Sequence, residues 1–568
     1  MRNCAAVPSK PFNIGQALQE AVSLHQQGRL RDAEKLYARA LKAAPDNFDA
    51  LHLLGLVKAQ SGQMGEAYRL MSAALKINPN APDALINIAN VLHALKRDTE
   101  ALACLDRALA ARPGDLEALL YRANALSALD RPEEALACFD AVLARDPRRA
   151  DARLNRGTAL ATMGRHTQAL TDFDAVLAQA PNHAEALYNR ATALLELGRQ
   201  GEALTAFDRV LAQAPQHMRA WNNRGRVLQT LNRHDDAIES FRKAIAIDKD
   251  YADAHSNLAL SLLTLGELRR GFAEYEWRWK RTGMADARRG YRGRLWLGEF
   301  PLGERTILLT AEQGLGDTIQ FVRYAPLLAR GGAKIALEVQ PELKTLLSSI
   351  EGVVSCHARG ETLPACELYC PLGSLPLALK TDPATIPADI PYLRADDAHL
   401  AKWRTTIEEL PGTRVALAWA GHARHPNDRN RSIDLKMLEP LFGVGGISFI
   451  SIQRDLRNDD AVWLARHANV THLGAGLADM ADTAAVEAIA DLTIAVDTSV
   501  VHLAGAMGRE AWVLLPFSPD WRWTLSGARS PWYPQAQLFR QPAPGDWPSV
   551  IAATRDALLR IATATSAG

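Results

Sequence analysis

One spacing governs the first half of this 568-residue sequence. Pro45, Pro79, Pro113, Pro147, Pro181 and Pro215 stand 34 residues apart at every step. Ala33, Ala67, Ala101, Ala135, Ala169, Ala203 and Ala237 keep the same period. So does a turn position, which runs Gly28, Gly62, Lys96, Asp130, Gly164, Gly198, Asn232, Gly266. A repeat of that length with small residues at fixed places is one helix–turn–helix unit. Proline ends the second helix because it has no N–H for the next backbone bond. A single unit cannot bury its apolar face, so the units must stack. The period predicts an all-α solenoid over residues 14–280, seven units and a partial eighth.

This pattern closely resembles the tetratricopeptide repeat. An aromatic four residues after the alanine, at Tyr37, Phe139, Phe173, Phe207 and Phe241, is expected to fill the gap between neighbouring units. Asparagine recurs on the first helix at Asn87, Asn155, Asn189, Asn223 and Asn257, while the two earliest units have Gln19 and Leu53. Arg122, Arg156, Arg190 and Arg224 stand beside it. A similar asparagine row in O-GlcNAc transferase lines a concave face and grips substrate backbone. Asparagine suits that role because it offers a donor and an acceptor. Two readings stand: the row binds an extended peptide, or its residues cap and bridge adjacent repeats.

Residues 281–305 form a connector, and aromatics crowd around it: Tyr275, Trp277 and Trp279 on one side, Trp296 within. They are expected to weld the solenoid to the next domain, although such rings could also meet a sugar face. Strands and helices then alternate. Thr306–Thr310, a glycine-bearing loop, a helix beginning near Asp317 and ending at Gly331-Gly332, and Lys334–Val339 make a βαβ unit. Further strands are expected at 353–357, 368–371, 414–421, 447–453, 492–497 and 511–516. A polar, proline-rich passage at 380–394 divides two parallel-sheet, Rossmann-like domains, 306–395 and 396–545. A C-terminal helix over 546–568 is expected to pack back on the first.

Ligands bind at the carboxyl ends of strands in open parallel sheets, and three loops fall there. Glu312-Gln313-Gly314-Leu315-Gly316-Asp317 is not a dinucleotide fingerprint, since its third glycine would be Ile319. Asp317 is either a helix cap or a carboxylate base, which a helix N-terminus would favour in its charged form. The second loop carries Arg424, Arg429 and Arg431 with His422 and His425. Guanidinium groups in such density suit a diphosphate, and the two histidines lack a third metal ligand. In the third, Asp497 ends a strand, Thr498 and Ser499 open a helix suited to phosphate, and His502 lies in its first turn, facing either the site or the core.

Lys plus Arg total 65 against 64 for Asp plus Glu, which excludes a global attraction to nucleic acid or an anionic membrane. No run of about 18 apolar residues suggests a membrane span, and the N-terminus lacks the apolar stretch of a signal peptide. Cys4 has no lipoprotein context, and the six cysteines form no paired knuckles. Free thiols in a cytoplasmic protein are expected.

Residues 300–545 resemble the heptosyltransferase-like glycosyltransferases of bacteria, which have the two-domain GT-B architecture. The likeness lies in Leu315-Gly316-Asp317-Thr318, in Pro326-Leu327-Leu328, and in the run from Asp497 through His502 to Ala506. The layout, with YEWRW, EQGLGD, NDRNRS and DWRW (Asp520 to Trp523), is similar to proteins that fuse tetratricopeptide repeats to such a domain. Some of those are implicated in glycosylating flagellin or other surface polymers. The resemblance implies an inverting, metal-independent transfer from a nucleotide-sugar, with no other cofactor. Asp317 would be the base on an acceptor loop of Gln313, Gly314 and Gly316. Arg429 or Arg431 would neutralise the leaving diphosphate. Thr498 and Ser499 would hold phosphate, Asp497 would contact the sugar, and Gln453 and His502 would complete the donor side. The acceptor would be a protein recruited by the repeats. An interaction scaffold with a degenerate transferase domain, and a transferase acting on lipopolysaccharide or polysaccharide, are the competing readings. Departures from the family are the arginines where a lysine is common and Ser499 where a glycine is usual.

Overall fold

The computed structural model describes residues 12–282, 291–425, 427–457 and 459–566; Cys4, Pro426 and part of the expected connector lie outside these. Sixteen helices, from Ile14–Gln26 to Leu268–Tyr275, form eight pairs with the expected 34-residue phase. The turn position adopts a left-handed backbone in every pair, with φ between 57° and 80°. That explains its glycines, and Lys96, Asp130 and Asn232 adopt the same conformation against the preference of a side chain.

Two of the repeat aromatics pack against the partner helix of their own unit. A Cβ on Gly157 would lie 2.6 Å from the Phe173 ring, and one on Gly225 would lie 2.4 Å from Phe241. Each of these rings therefore fills a notch in the partner helix of its own unit. Phe139, Phe173, Phe207 and Phe241 are fully buried. Gly157→Val is expected to destabilise the protein by about 1–3 kcal/mol, because its two methyls overpack the buried ring beyond the small shift that a lone Cβ asks for. Gly157→Ala should cost much less, since Ala123 and Ala191 occupy the equivalent place in neighbouring repeats. Chemical denaturation of the two variants checks the difference.

The chain forms two compact units, one up to Pro215 and one from Gln216. The first holds the first six helix pairs. The second holds the last two pairs and two sheets, so the repeat pattern and the compact units divide the chain at different points. Leu263, Leu268 and Phe272 of the eighth pair share a buried cluster with Ile319, Phe321 and Trp521. Of the aromatics around the connector, Trp296 belongs to this cluster and Tyr275 packs against it, whereas Trp277 stacks on His255 of the eighth pair at 3.8 Å.

Every strand pairing in the two sheets is parallel. The first sheet contains β1 (Arg294–Leu295), β2 (Thr306–Thr310), β3 (Lys334–Val339), β4 (Val353–Ala358) and β5 (Leu368–Pro371), in the order β1-β5-β2-β3-β4. The second contains β6 (Thr413–Ala418), β7 (Ile447–Ser451), β8 (Val470–His472), β9 (Leu492–Val496), β10 (Ala511–Leu515) and β11 (Ala536–Arg540), in the order β11-β10-β9-β6-β7-β8. Strand order reverses between β2 and β5 in one sheet and between β6 and β9 in the other. Crevices open at such switch points.

Three expectations need correction. β1, β8 and β11 were not foreseen; two are only two or three residues long, too short to show an alternation. The helix after β2 begins at Leu315, near the expected Asp317, but it breaks into Leu315–Phe321 and Tyr324–Arg330. The C-terminal helix, Trp547–Ser566, packs on the second sheet: Trp547, Val550, Ile551 and Leu558 join Val415, Leu417 and Phe539 there. Its apolar face packs on β11 and on the short helix Glu439–Phe442.

Candidate functional site

The loop after β2 lies at the first switch point. Gly314 is the N-cap of the following helix, and Asp317 is three residues inside it. The Asp317 carboxylate reaches back, and its Oδ2 accepts from the Gly314 N–H at 3.0 Å. This is one half of a capping box, so Asp317 does cap, from N3 and not from the N-cap position. Its other oxygen, Oδ1, is paired with Arg522. Gln313 donates through Nε2 to the Tyr275 hydroxyl, while its carbonyl accepts from Gln340.

At the second switch point the loops after β6 and β9 meet. Arg431 Nη1 donates to the Asp497 carbonyl at 2.8 Å. Thr498 is the N-cap of the helix Ser499–Ala506, and its hydroxyl makes no capping bond. His502 is buried, 3.1 Å from the Tyr533 hydroxyl through Nδ1 and 3.9 Å from Asp497 Oδ1 through Nε2. Burial, reinforced by Arg522, Arg323 and Arg431, pushes its pKa well below the ordinary histidine value. His502 is therefore a neutral ring at neutral pH.

The two switch points come together. A Cβ on Gly316 would lie 2.8 Å from His502 Cδ2, so only glycine allows the loop to approach this closely. Arg522 joins them further. Its guanidinium meets Asp317, Gln320 and, at 2.9 Å, Asp520. Burial opposes its charge, but Asp520 and Asp317 hold its pKa above the ordinary arginine value. The start of the helix Leu315–Phe321 thus touches the helix Ser499–Ala506.

Four buried polar atoms here lack partners: Thr498 Oγ1, Arg431 Nε, Gln320 Nε2 and Trp523 Nε1. Trp523 Nε1 is close to the Asp497 carboxylate but outside hydrogen-bond geometry. Unsatisfied buried groups in a native protein need an explanation, and a polar ligand is one.

Burial, with the charge of Asp520 beside it, pushes the Asp497 carboxyl up to about 6. A group whose folded pKa exceeds its unfolded value loses stability for the protein as pH rises through the folded value. Asp497→Asn is therefore expected to gain roughly 3 kcal/mol over the parent at about pH 8. The gain should vanish below about pH 4, where both states are protonated. Thermal melts across that range read the sign directly.

The remaining expected residues are distributed differently. Arg429 is exposed, whereas Arg431 is half-buried and bonded to the Asp497 carbonyl. Gln453 is buried and accepts from the Trp419 and Ala420 N–H groups at 3.2 and 3.0 Å; it shapes the loop after β6. His422 and His425 each accept from a backbone N–H nearby. Among the described residues no group of three or more His, Cys, Asp or Glu side chains could hold a metal ion. Arg522, Asp520, Tyr533 and Gln320 were not singled out as site residues. The signal for Arg522 was present in Asp520-Trp521-Arg522-Trp523, an acid and an arginine among aromatics just after a strand.

Four of the five asparagines of the row bridge adjacent repeats. Asn155 Nδ2 donates to Asn124 at 2.9 Å, Asn189 to Thr158 at 3.2 Å and Asn257 to Asn222 at 2.9 Å, while Asn87 meets His52 at 2.9 Å. Each bond joins the first helices of consecutive units. Asn223 is buried. The arginines bridge as well: Arg122, Arg156 and Arg190 pair with Asp106, Asp140 and Asp174 of the preceding second helix.

Comparison with known families agrees with the helix pairs. The tetratricopeptide repeat family matches residues 120–184, 156–217, 188–252 and 222–277. The family of anaphase-promoting complex, cyclosome, subunit 3 matches residues 26–108. The N-terminal region is a tetratricopeptide repeat array. Protein FlbA of Caulobacter vibrioides is 26% identical over 327 residues, covering 53% of this chain and 54% of its own length. The chain thus spans about half the length of the curated relative it matches. Among solved structures, a tetratricopeptide repeat protein from Parabacteroides merdae shares 20% identity over 44% of this chain and 98% of its own, with a TM-score of 0.36. YrrB, described as a TPR protein with an unusual peptide-binding site, shares 27% identity over 32% of this chain and 95% of its own, with a TM-score of 0.29. Tetratricopeptide arrays of this kind indicate a role in protein interaction. Among the described residues no helix is long and apolar enough to cross a membrane.

Proposed function

We propose that the chain is an inverting, metal-independent glycosyltransferase of the GT-B type, acting on a protein held by its tetratricopeptide repeats. One observation carries the reading. A carboxylate at one sheet's switch point and a basic, phosphate-suited helix start at the other's meet around Gly316 and His502. Asp317 would take the proton of an acceptor hydroxyl as its oxygen bonds to the anomeric carbon. The bond from that carbon to the diphosphate oxygen breaks, and the nucleoside diphosphate leaves. Arg431, the Thr498 hydroxyl and the amides of the Ser499 helix would receive the charge that develops on the leaving group. The buried neutral His502 and Asp497 would border the sugar.

A second reading has its own support. Both Asp317 oxygens are engaged, one by Gly314 and one by Arg522, as in a structural cap. The chain would then be an interaction scaffold with a silent transferase domain. Incubating the full chain with a panel of nucleoside-diphosphate sugars separates the two. The transferase reading expects release of the nucleoside diphosphate and a matching mass increase on an acceptor protein. Absence of both binding and release across the panel would leave the scaffold.

A further inference from the structure

The last two repeat pairs reach the two loops that carry Asp317 and Arg522. On the first loop, the Tyr275 hydroxyl accepts from Gln313. Arg278 is 4% exposed, and its guanidinium donates to Glu312 at 3.0 Å, to Ser374 at 2.7 Å and to Glu276 at 2.6 Å. Glu312 in turn accepts from the Gly373 N–H at 3.2 Å, joining the loops after β2 and β5. On the second loop, Asn232 Nδ2 donates to the Phe517 carbonyl at 2.7 Å, and Ser518 donates to the Gln229 carbonyl at 3.2 Å. Between them the Phe272 ring stands edge-on to Trp521 at 5.6 Å and to Phe321 at 6.3 Å.

These are not the contacts a mere linker requires. A buried guanidinium is costly unless it is paired; Arg278 Nε has no partner, but its two Nη atoms are bonded, and one of their acceptors, Glu312, lies on the loop that leads to Asp317. Asn232 occupies the left-handed turn position that is glycine in five other units. Here its side chain has a use: it reaches the loop leading to Asp520-Trp521-Arg522-Trp523.

We propose that Tyr275, Arg278 and Asn232 are positioning residues of the site, so that the end of the repeat array sets the separation of Asp317 and Arg522. This rests on the transferase reading, and it makes the seventh and eighth pairs part of the reaction apparatus as well as of the interaction surface. A displacement of reacting groups by about 1 Å can cost roughly a hundredfold in rate.

The test uses the full chain with Tyr275→Phe and Asn232→Gly. The first keeps the ring and removes the hydroxyl. The second keeps the left-handed turn and removes only the amide that reaches Phe517. Hydrogen exchange is read at 311–318 and 516–523, alongside donor KM and kcat. Exchange should accelerate about tenfold in the loop facing each substitution and stay unchanged in the other repeats. The kcat should fall about tenfold to a hundredfold with KM for the donor nearly constant. Unchanged exchange overturns the proposal whether or not any donor is turned over. Faster exchange with the parent kcat overturns it too. A parent protein that turns over no donor refutes the transferase reading, while the exchange data still decide whether the repeats order these loops.

Discussion

Replacing Asp317 by asparagine is expected to lower turnover of a nucleotide-sugar by about 10²–10⁴-fold, the usual contribution of a general base. The substitution keeps the side-chain oxygen that can accept from Gly314 N–H, so the helix start should survive. Nucleotide affinity should change little, because the phosphate-suited groups belong to the other sheet: Arg431, Thr498 and Ser499. The informative measurement is therefore kcat beside the dissociation constant of the nucleoside diphosphate. Equal loss of both would place Asp317 in folding or binding. No loss of either would make it a cap alone.

The second large effect is on stability. Arg522 is only 7% exposed, and Arg522→Met removes a guanidinium that serves Asp317, Asp520 and Gln320 at once. Removing one partner of a buried charge pair leaves the other uncompensated, at a cost of about 3–5 kcal/mol. Denaturant unfolding of the variant should show that loss in the transition of the sheet-bearing unit. Adding Asp317→Asn should recover part of it, because one stranded carboxylate is then neutral. Strict additivity of the two losses would show that the pair does not interact.

Much of the fold was legible because it is periodic. A 34-residue spacing in proline, alanine and the turn residue leaves little freedom, and β2, β3 and β5 follow from apolar runs bounded by turn residues. The strand order was not legible. Nothing local distinguishes β5 beside β2 from β5 beside β4, since parallel strands are joined by crossovers and partner choice is non-local. The site shows the same division. Asp317, Arg431 and Thr498 stand at strand ends, which sequence can locate. Arg522 acts across more than two hundred residues of chain on Asp317, and no spacing rule links positions so far apart. The asparagine row was periodic and hence visible, yet periodicity could not say whether a group faces a ligand or its own neighbour; the bonds to Asn124, Thr158 and Asn222 show that the neighbour engages it.

The division of the chain at Pro215 and Gln216 bears on how such a protein can change over generations. A repeat array grows or shrinks by whole units, and each gain or loss alters only nearest-neighbour interfaces. Among the first six pairs a duplication or deletion in register leaves Asn232, Phe272, Tyr275 and Arg278 where they are. The last two pairs have no such freedom, since a deletion there strips the loops at Glu312 and Phe517 of their anchors. Relatives of this chain should therefore vary in repeat number on the N-terminal side of this boundary and stay fixed in number beyond it.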